Sequence, residues 1–260
     1  MAKKKKKGIF KKCFSVLGKF IVFLFLFSIL LTLLYRWVNP PITYLMIERK
    51  IAKDLPIKKK WTLIEEISPH FINCAVAAED NNFLAHNGFD FGAIQKAIDE
   101  REQGKRKRGA STISQQTAKN VFLWPKQSWF RKGCEVYFTF LIETFWSKER
   151  IMEVYLNVIE MGPGIYGCEA ASQHYFRKSA SKVSAREASL ITAIYPNPFK
   201  GNPSRPSNYL QKRSSNIRSL SSKIGNIKFD KESIKKAKER YQKREELRRK
   251  KNDGKVLDIF

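Results

Sequence analysis

The chain has 260 residues, with 50 Lys+Arg against 24 Asp+Glu and a formal net charge of +26. Hydrophobic residues make up 43% of it, enough to fill a core, which excludes a wholly disordered or collagen-like chain. The charge is uneven: residues 1–12 hold seven lysines and no acid, and residues 212–251 hold sixteen cations against five acids. Most of the excess therefore sits at the two ends, and no nucleic-acid partner is expected. Cys13, Cys74, Cys134 and Cys168 lie too far apart for a metal knuckle, a C-x-x-C redox motif or a disulfide framework, and read as small buried hydrophobes.

The first element is a membrane segment. Phe20 to Tyr35 carries no charge, and extension to residues 16–38 brings in Lys19 and Arg36, whose stems can snorkel to the two interfaces. Tyr35 and Trp37 fall where an aromatic belt belongs. The residues that follow contain no small-x-small cleavage site, so the segment is expected to be an uncleaved anchor. The lysine-rich residues 1–15 are then cytoplasmic, and the chain beyond 39 faces outward.

Asn39-Pro40-Pro41 breaks the helix and opens an expected tether over 39–60. After it helical signals dominate. Ser68-Pro69 is a helix start, and Phe71, Ile72, Ala75 and Val76 repeat at helical spacing toward Glu79-Asp80. Further helices are expected over 113–122, from about Phe130 to Phe145, from Ser147 onward, and from the capping box Ser184-x-x-Glu187 to just before Pro196. No convincing alternating strand is present, so the fold class is mostly α. The basic residues 211–260 read as a surface tail, with a charged, solvated helix or partial disorder from about 229 to 251.

Three polar stretches carry candidate chemistry. In residues 77–90 an acidic pair, Glu79 and Asp80, ends an apolar helix, followed by His86 and Gly88 in a turn; this suits a general base, and equally a helix-end acid beside a structural histidine. In residues 105–120 four cations lead to Gly109, Ser111, Gln115, Gln116, Lys119 and Asn120, a donor-rich cluster suited to sugar hydroxyls and phosphate, or an ordinary basic loop and polar helix. Arg131 and Glu135 share one helix face, as a site pair or a plain salt bridge. Residues 147–157 and 186–198 have the periodicity of packing elements.

The order of these stretches resembles the peptidoglycan glycosyltransferase family, lysozyme-like enzymes that polymerise lipid II. Block one, E-D-x-x-F-x-x-H-x-G, is met by Glu79, Asp80, Phe83, His86 and Gly88. Block two, G-x-S-T-I-x-Q-Q-x-x-K-N, is met from Gly109 to Asn120, and block three, R-K-x-x-E, by Arg131, Lys132 and Glu135. Block four, I-x-E-x-Y-L-N, is met by Ile151, Glu153, Tyr155, Leu156 and Asn157, and block five, an R-E-A-x-L helix ending in P-N-P, from Arg186 to Pro198. The resemblance covers roughly 40 to 210, and the anchor with Val38-Asn39-Pro40-Pro41 is similar to that of monofunctional members.

The resemblance implies a lysozyme-like glycosyltransferase domain over 61–210 behind a single N-terminal transmembrane helix in the inner membrane. It implies that the 4-hydroxyl of lipid II attacks the anomeric carbon of a lipid-linked glycan with inversion, releasing undecaprenyl diphosphate. Glu79 is then the base and Glu135 the second acid. Lys119 and Arg131 contact the diphosphate, and Asp80, Ser111, Gln115, Gln116 and Asn120 contact substrate. The family leaves open a divalent cation, Mg or Mn, near Glu135, although no metal-binding spacing in this chain points to one. Expected partners are lipid II, the lipid-linked glycan, the membrane and other cell-wall synthesis proteins. Phe89, Phe91 and Ile94, close to the basic run 105–108, are expected to rest on anionic headgroups.

Ser179-x-x-Lys182, Ser233-x-x-Lys236 and Ser214-x-Asn216 occur, but no K-T-G does, and no room for a second enzyme domain follows residue 210, so a transpeptidase is excluded. A lysozyme-like lytic enzyme would share the essential Glu but leave the diphosphate-binding blocks unused. A basic, anchored, non-enzymatic scaffold would leave every block unused.

Overall fold

The computed structural model describes residues 2–104 and 109–257. The chain divides into two compact units, residues 1–39 and 40–260. In the first, α1 (Ala2–Leu34) contains the apolar stretch Phe14–Leu34, the one helix among the described residues long and apolar enough to cross a membrane. At 1.5 Å per residue its 21 residues reach about 31 Å, the thickness of a hydrocarbon core. The helix ends earlier than the expected 38. Arg36 and Trp37 donate to the carbonyls of Leu33 and Leu34, a tightened i→i−3 turn, and the Arg36 guanidinium lies 5.0 Å over the Trp37 ring.

The second unit is mostly α. Its helices are α2 (Tyr44–Lys53), α3 (Pro69–Glu79), α4 (Phe91–Glu102), α5 (Ile113–Phe122), α6 (Trp129–Phe145), α7 (Lys148–Val158), α8 (Cys168–Phe176), α9 (Ala185–Ala193), α10 (Asn208–Ile224) and α11 (Lys231–Leu257). The expected starts at Ser68, Ser147 and Ser184 are all present as side-chain N-caps, the last with its capping box. Each hydroxyl accepts from a first-turn N–H that the helix itself leaves unsatisfied. Three very short strands escape sequence reading: β1 (Lys58–Lys59) pairs in parallel with β3 (Ile165–Tyr166), which pairs antiparallel with β2 (Glu160–Gly162).

α7 lies at the centre, and every residue from Ile151 to Val158 is buried. Two of its polar members, Glu153 and Asn157, take backbone partners. Glu153 accepts from the N–H of Ile64 at 3.0 Å, while Asn157 accepts from the N–H of Thr62 and donates to its carbonyl, both at 2.9 Å. The segment between β1 and α3 is thereby stitched to α7. Buried polar groups survive in a core only with such partners. Cys74 and Cys168 are buried as expected, and burial pushes their thiols up to about 11 and about 12, whereas Cys134 is only half-buried.

Two expected segments come out differently. The tether of 39–60 contains α2, capped by Thr43 and seated through a fully buried Met46, and β1, whose partner lies far along the chain. The boundary at 210 falls inside α10, which packs on α3 and α9 and buries Leu210, Ser214 and Ile217. Asn73 of α3 then holds the following loop, donating to Asn226 and accepting from the N–H of Ile227.

The terminal helix is also docked, not free. The Tyr241 hydroxyl donates to Asp90 at 2.9 Å and accepts from the N–H of Gly92 at 3.4 Å. Arg244 donates to Asn82 at 2.7 Å and Arg248 to the Gly92 carbonyl at 2.6 Å. A Cβ on Gly92 would lie 2.5 Å from a Glu245 oxygen, the tip of a flexible side chain that could turn aside. No side chain of α11 is fully buried among its described residues, so polar contacts hold it in place. At about 1 kcal/mol per net hydrogen bond, the double variant Tyr241→Phe/Arg248→Ala should lose about 2 kcal/mol of α11 docking. Hydrogen exchange should show α11 opening with α3 and α7 still protected; unchanged exchange in α11 would refute the docking.

Candidate active site

Glu79 and Asp80 end α3 and face different ways. Asp80 is buried, and both its oxygens lie 3.0 Å from His86 Nε2, while Oδ2 also accepts the N–H of Ile113 at 3.0 Å. His86 Nδ1 accepts from the N–H of Gly88 at 3.1 Å, so the ring proton sits on Nε2 and is donated to Asp80. Gly88 has φ +89°, and a Cβ there would lie 2.8 Å from the Thr139 methyl, which accounts for the glycine. Its carbonyl accepts from the Thr112 hydroxyl at 2.7 Å. Asp80 thus locks the C-terminus of α3 to the turn and to the N-terminus of α5. A substrate contact was expected of it; the partners its oxygens meet here are all framework groups.

Adjacent residues on α5 divide in the same manner. Gln115, also expected to contact substrate, is buried and completes the capping box with Thr112, its Oε1 accepting the Thr112 N–H at 3.0 Å. Gln116 faces the site: its Nε2 donates to Glu79 Oε2 at 2.9 Å, and its Oε1 accepts from the Tyr155 hydroxyl at 3.4 Å. Burial, and then the negative charge of Glu79, hold the Tyr155 phenol well above its usual range, so it remains a donor. This relay fixes one oxygen of Glu79. The other, Oε1, has no hydrogen bond among the described residues and can accept a proton.

Next to this carboxylate, Ser111, Lys119, Asn120, Arg131, Lys132 and Glu135 line a cavity of about 360 Å³. Asn120 also donates to the Gln116 carbonyl at 2.8 Å. Glu135, 3% exposed, is gripped by two cations: Arg131 Nη1 at 3.0 Å and Lys132 Nζ. Arg131 is 8% exposed, and its Nε is buried with no hydrogen-bond partner. An orphan charged donor beside a polar cavity suits an anionic ligand. Lys119 is electrically central. Burial lowers its ammonium pKa, the nearby cations Arg131 and Lys132 push the same way, and Glu135 and Glu79 oppose.

The cavity includes residues that sequence reading missed, among them Leu45 and Arg49 of α2 and Trp124 after α5. The signal for α2 was present in Thr43 followed by ten residues free of Gly and Pro. The basic run 105–108 lies outside the described residues; Phe91 is exposed, whereas Phe89 and Ile94 are half-buried. Among the described residues no three His, Cys, Asp or Glu side chains converge. With both Glu135 oxygens already held by cations, the donor set does not fit a divalent cation bound by protein groups alone.

A family model described as Transglycosylase matches residues 48–221. The chain belongs to the transglycosylase family. Relatives named biosynthetic peptidoglycan transglycosylase include one from Bacteroides thetaiotaomicron, 51% identical over 219 residues that cover 82% of this chain and 88% of the relative. One from Shewanella oneidensis is 47% identical over 224 residues, covering 85% and 96%, and one from Bdellovibrio bacteriovorus is 52% identical over 204 residues, covering 76% and 82%. The match to the transglycosylase model spans both halves of the site, Glu79 with its relay and the cationic cavity. It stops before α11, so the docked terminal helix lies outside it.

The framework role of Asp80 separates stability from binding. In Asp80→Asn the amide keeps one acceptor and turns the other into a donor facing an N–H. Loss of about 1–3 kcal/mol is expected in urea unfolding, the cost of a buried unsatisfied group. Wild-type stability with a raised KM would instead mark Asp80 as a substrate contact.

Proposed function

We propose that this chain is a peptidoglycan glycosyltransferase that polymerises lipid II into β-1,4-linked glycan, releasing undecaprenyl diphosphate, for cell-wall synthesis. The observation that carries the reading is the pairing of a half-buried carboxylate, one oxygen pinned and one open, with a cavity lined by four cations and a single acid. Inverting transfer from a sugar diphosphate needs those two things. A sugar hydroxyl is a weak nucleophile at neutral pH, and Glu79 Oε1 accepts its proton as the oxygen attacks. The departing diphosphate gains negative charge, and Lys119 and Arg131 meet it with fixed positive charge and donors, including the orphan Arg131 Nε. Ser111, Gln116 and Asn120 supply the remaining sugar or phosphate contacts. A lytic enzyme would have no use for such cations.

Glu135 acts in this reading as the organiser of Arg131 and Lys132, which it orients while leaving net positive charge for the substrate. No step is assigned to a divalent cation. The apolar part of α1 holds the enzyme in the bilayer that carries both lipid-linked substrates, raising their effective concentration. By the positive-inside rule the lysine end is cytoplasmic and the catalytic unit lies outside the inner membrane.

Two measurements test the mechanism. With labelled lipid II, Glu79→Gln should cut polymerisation about 10²–10⁴-fold, the worth of a general base, with the fold intact by circular dichroism. Undiminished glycan synthesis would remove Glu79 from the role. The second is a pH profile. The charged form of Lys119 holds the diphosphate and its pKa is lowered, so kcat/KM should fall on the alkaline side before an ordinary lysine titrates. Lys119→Arg should move that limb to higher pH, because a guanidinium stays protonated; an unmoved limb would assign it to another group.

A further inference from the structure

Arg49 sits on α2, in the segment that sequence reading took for a tether, and lines the same cavity as Lys119, Arg131 and Lys132. Its setting is built. Nε donates to Glu160 Oε2 at 3.3 Å, and the other oxygen of Glu160 accepts the N–H of Gly164 at 3.4 Å, so the carboxylate cannot swing away freely. The guanidinium carbon lies 5.1 Å from the ring centre of Phe199, the residue directly after Pro196-Asn197-Pro198. One N–H and one aromatic face therefore hold the group. Nη1 and Nη2 have no partner among the described residues, and the side chain is 24% exposed.

Arginine–carboxylate pairs frequently use the guanidinium fork in a bidentate contact. Here the single bond is to Nε, which leaves the terminal nitrogens unused at a cavity wall. Glu160 is itself buried, and burial raises its pKa against the lowering effect of Arg49. An acid so placed serves to aim a cation. The planar, permanently charged guanidinium is the side chain best matched to phosphate oxygens.

We propose that Arg49 is a substrate-binding residue, a further cationic contact for the diphosphate of the lipid-linked substrate, with Glu160 and Phe199 as its positioning residues. It supplies a second wall, from α2, to a site otherwise built on α5 and α6. The inference rests on the lipid-diphosphate reading of the cavity.

The test uses the full-length protein in detergent, with calorimetric titration of farnesyl diphosphate beside lipid II kinetics. Arg49→Ala should weaken farnesyl diphosphate binding about tenfold and raise KM for lipid II by a similar factor, with kcat changed less than about threefold. Arg49→Lys should recover part of the affinity. Glu160→Gln and Phe199→Leu, which leave Arg49 in place but unaimed, should each show a smaller loss of the same kind, and they carry the test if Arg49→Ala proves unstable on melting. Glu79→Gln should bind farnesyl diphosphate as wild type does. Wild-type binding and KM in Arg49→Ala would overturn the inference and leave the polymerase reading standing. Failure of the wild-type protein to bind farnesyl diphosphate would also overturn it. Arg49-dependent binding in a protein that makes no glycan from lipid II would instead sink the polymerase reading and keep Arg49 as a diphosphate contact.

Discussion

The site depends on one buried carboxylate whose oxygens are already taken by the framework. Asp80 receives a ring N–H from His86 and a backbone N–H from the first turn of α5, and so joins the end of one helix to the beginning of another. Its neighbour Glu79 inherits that position. Because α5 begins where Asp80 holds it, Gln116 comes within 2.9 Å of Glu79, and Lys119, three residues further on and on the same side, feels both Glu79 and Glu135. A buried carboxylate without those partners would be costly, so the same bonds that make Asp80 tolerable set the distance between Glu79 and the cations.

The same principle extends to other buried polar residues. Glu153 and Asn157 in α7 clamp the backbone of 62–64, and Glu169 in α8 accepts the N–H of Ala180 at 2.7 Å and the ammonium of Lys60 at 3.2 Å. These polar groups are buried, far from being solvent-facing, and each satisfies a backbone group that a loop would otherwise leave unpaired. A motif in such an enzyme therefore mixes two kinds of residue. In block one Glu79 is open and Asp80 closed; in block two Gln116 is open and Gln115 closed.

That mixture explains what could be read in advance. Local signals were legible: Ser68, Ser147 and Ser184 mark helix starts because the cap is a contact within one turn. Glu79 stood out as an acid ending an apolar helix, Lys119 as part of a donor-rich polar cluster, and Arg131 with Glu135 as a pair on one helix face. Which of two adjacent side chains turns inward was not legible, since it depends on partners such as His86 and Thr112 that only the folded chain brings near. Long-range pairing was equally hidden. The match of Lys58 with Ile165 and the contacts of α11 with Asn82 and Gly92 leave no trace in periodicity, and α2 was obscured by the prolines that precede it.

The charge layout then acquires a physical reason. Arg131 and Lys132 share one carboxylate, and Arg49 is balanced by another that lies behind it, so the cavity keeps positive charge in excess without packing bare cations together. Like charges held close repel, and desolvation penalises each of them, as the lowered pKa of Lys119 records. An anionic ligand relieves both penalties on entering, and more so as its charge grows. The two acids among the cations thus make a strongly positive site affordable to the fold, at a repulsion and desolvation cost that an anion of growing charge would relieve.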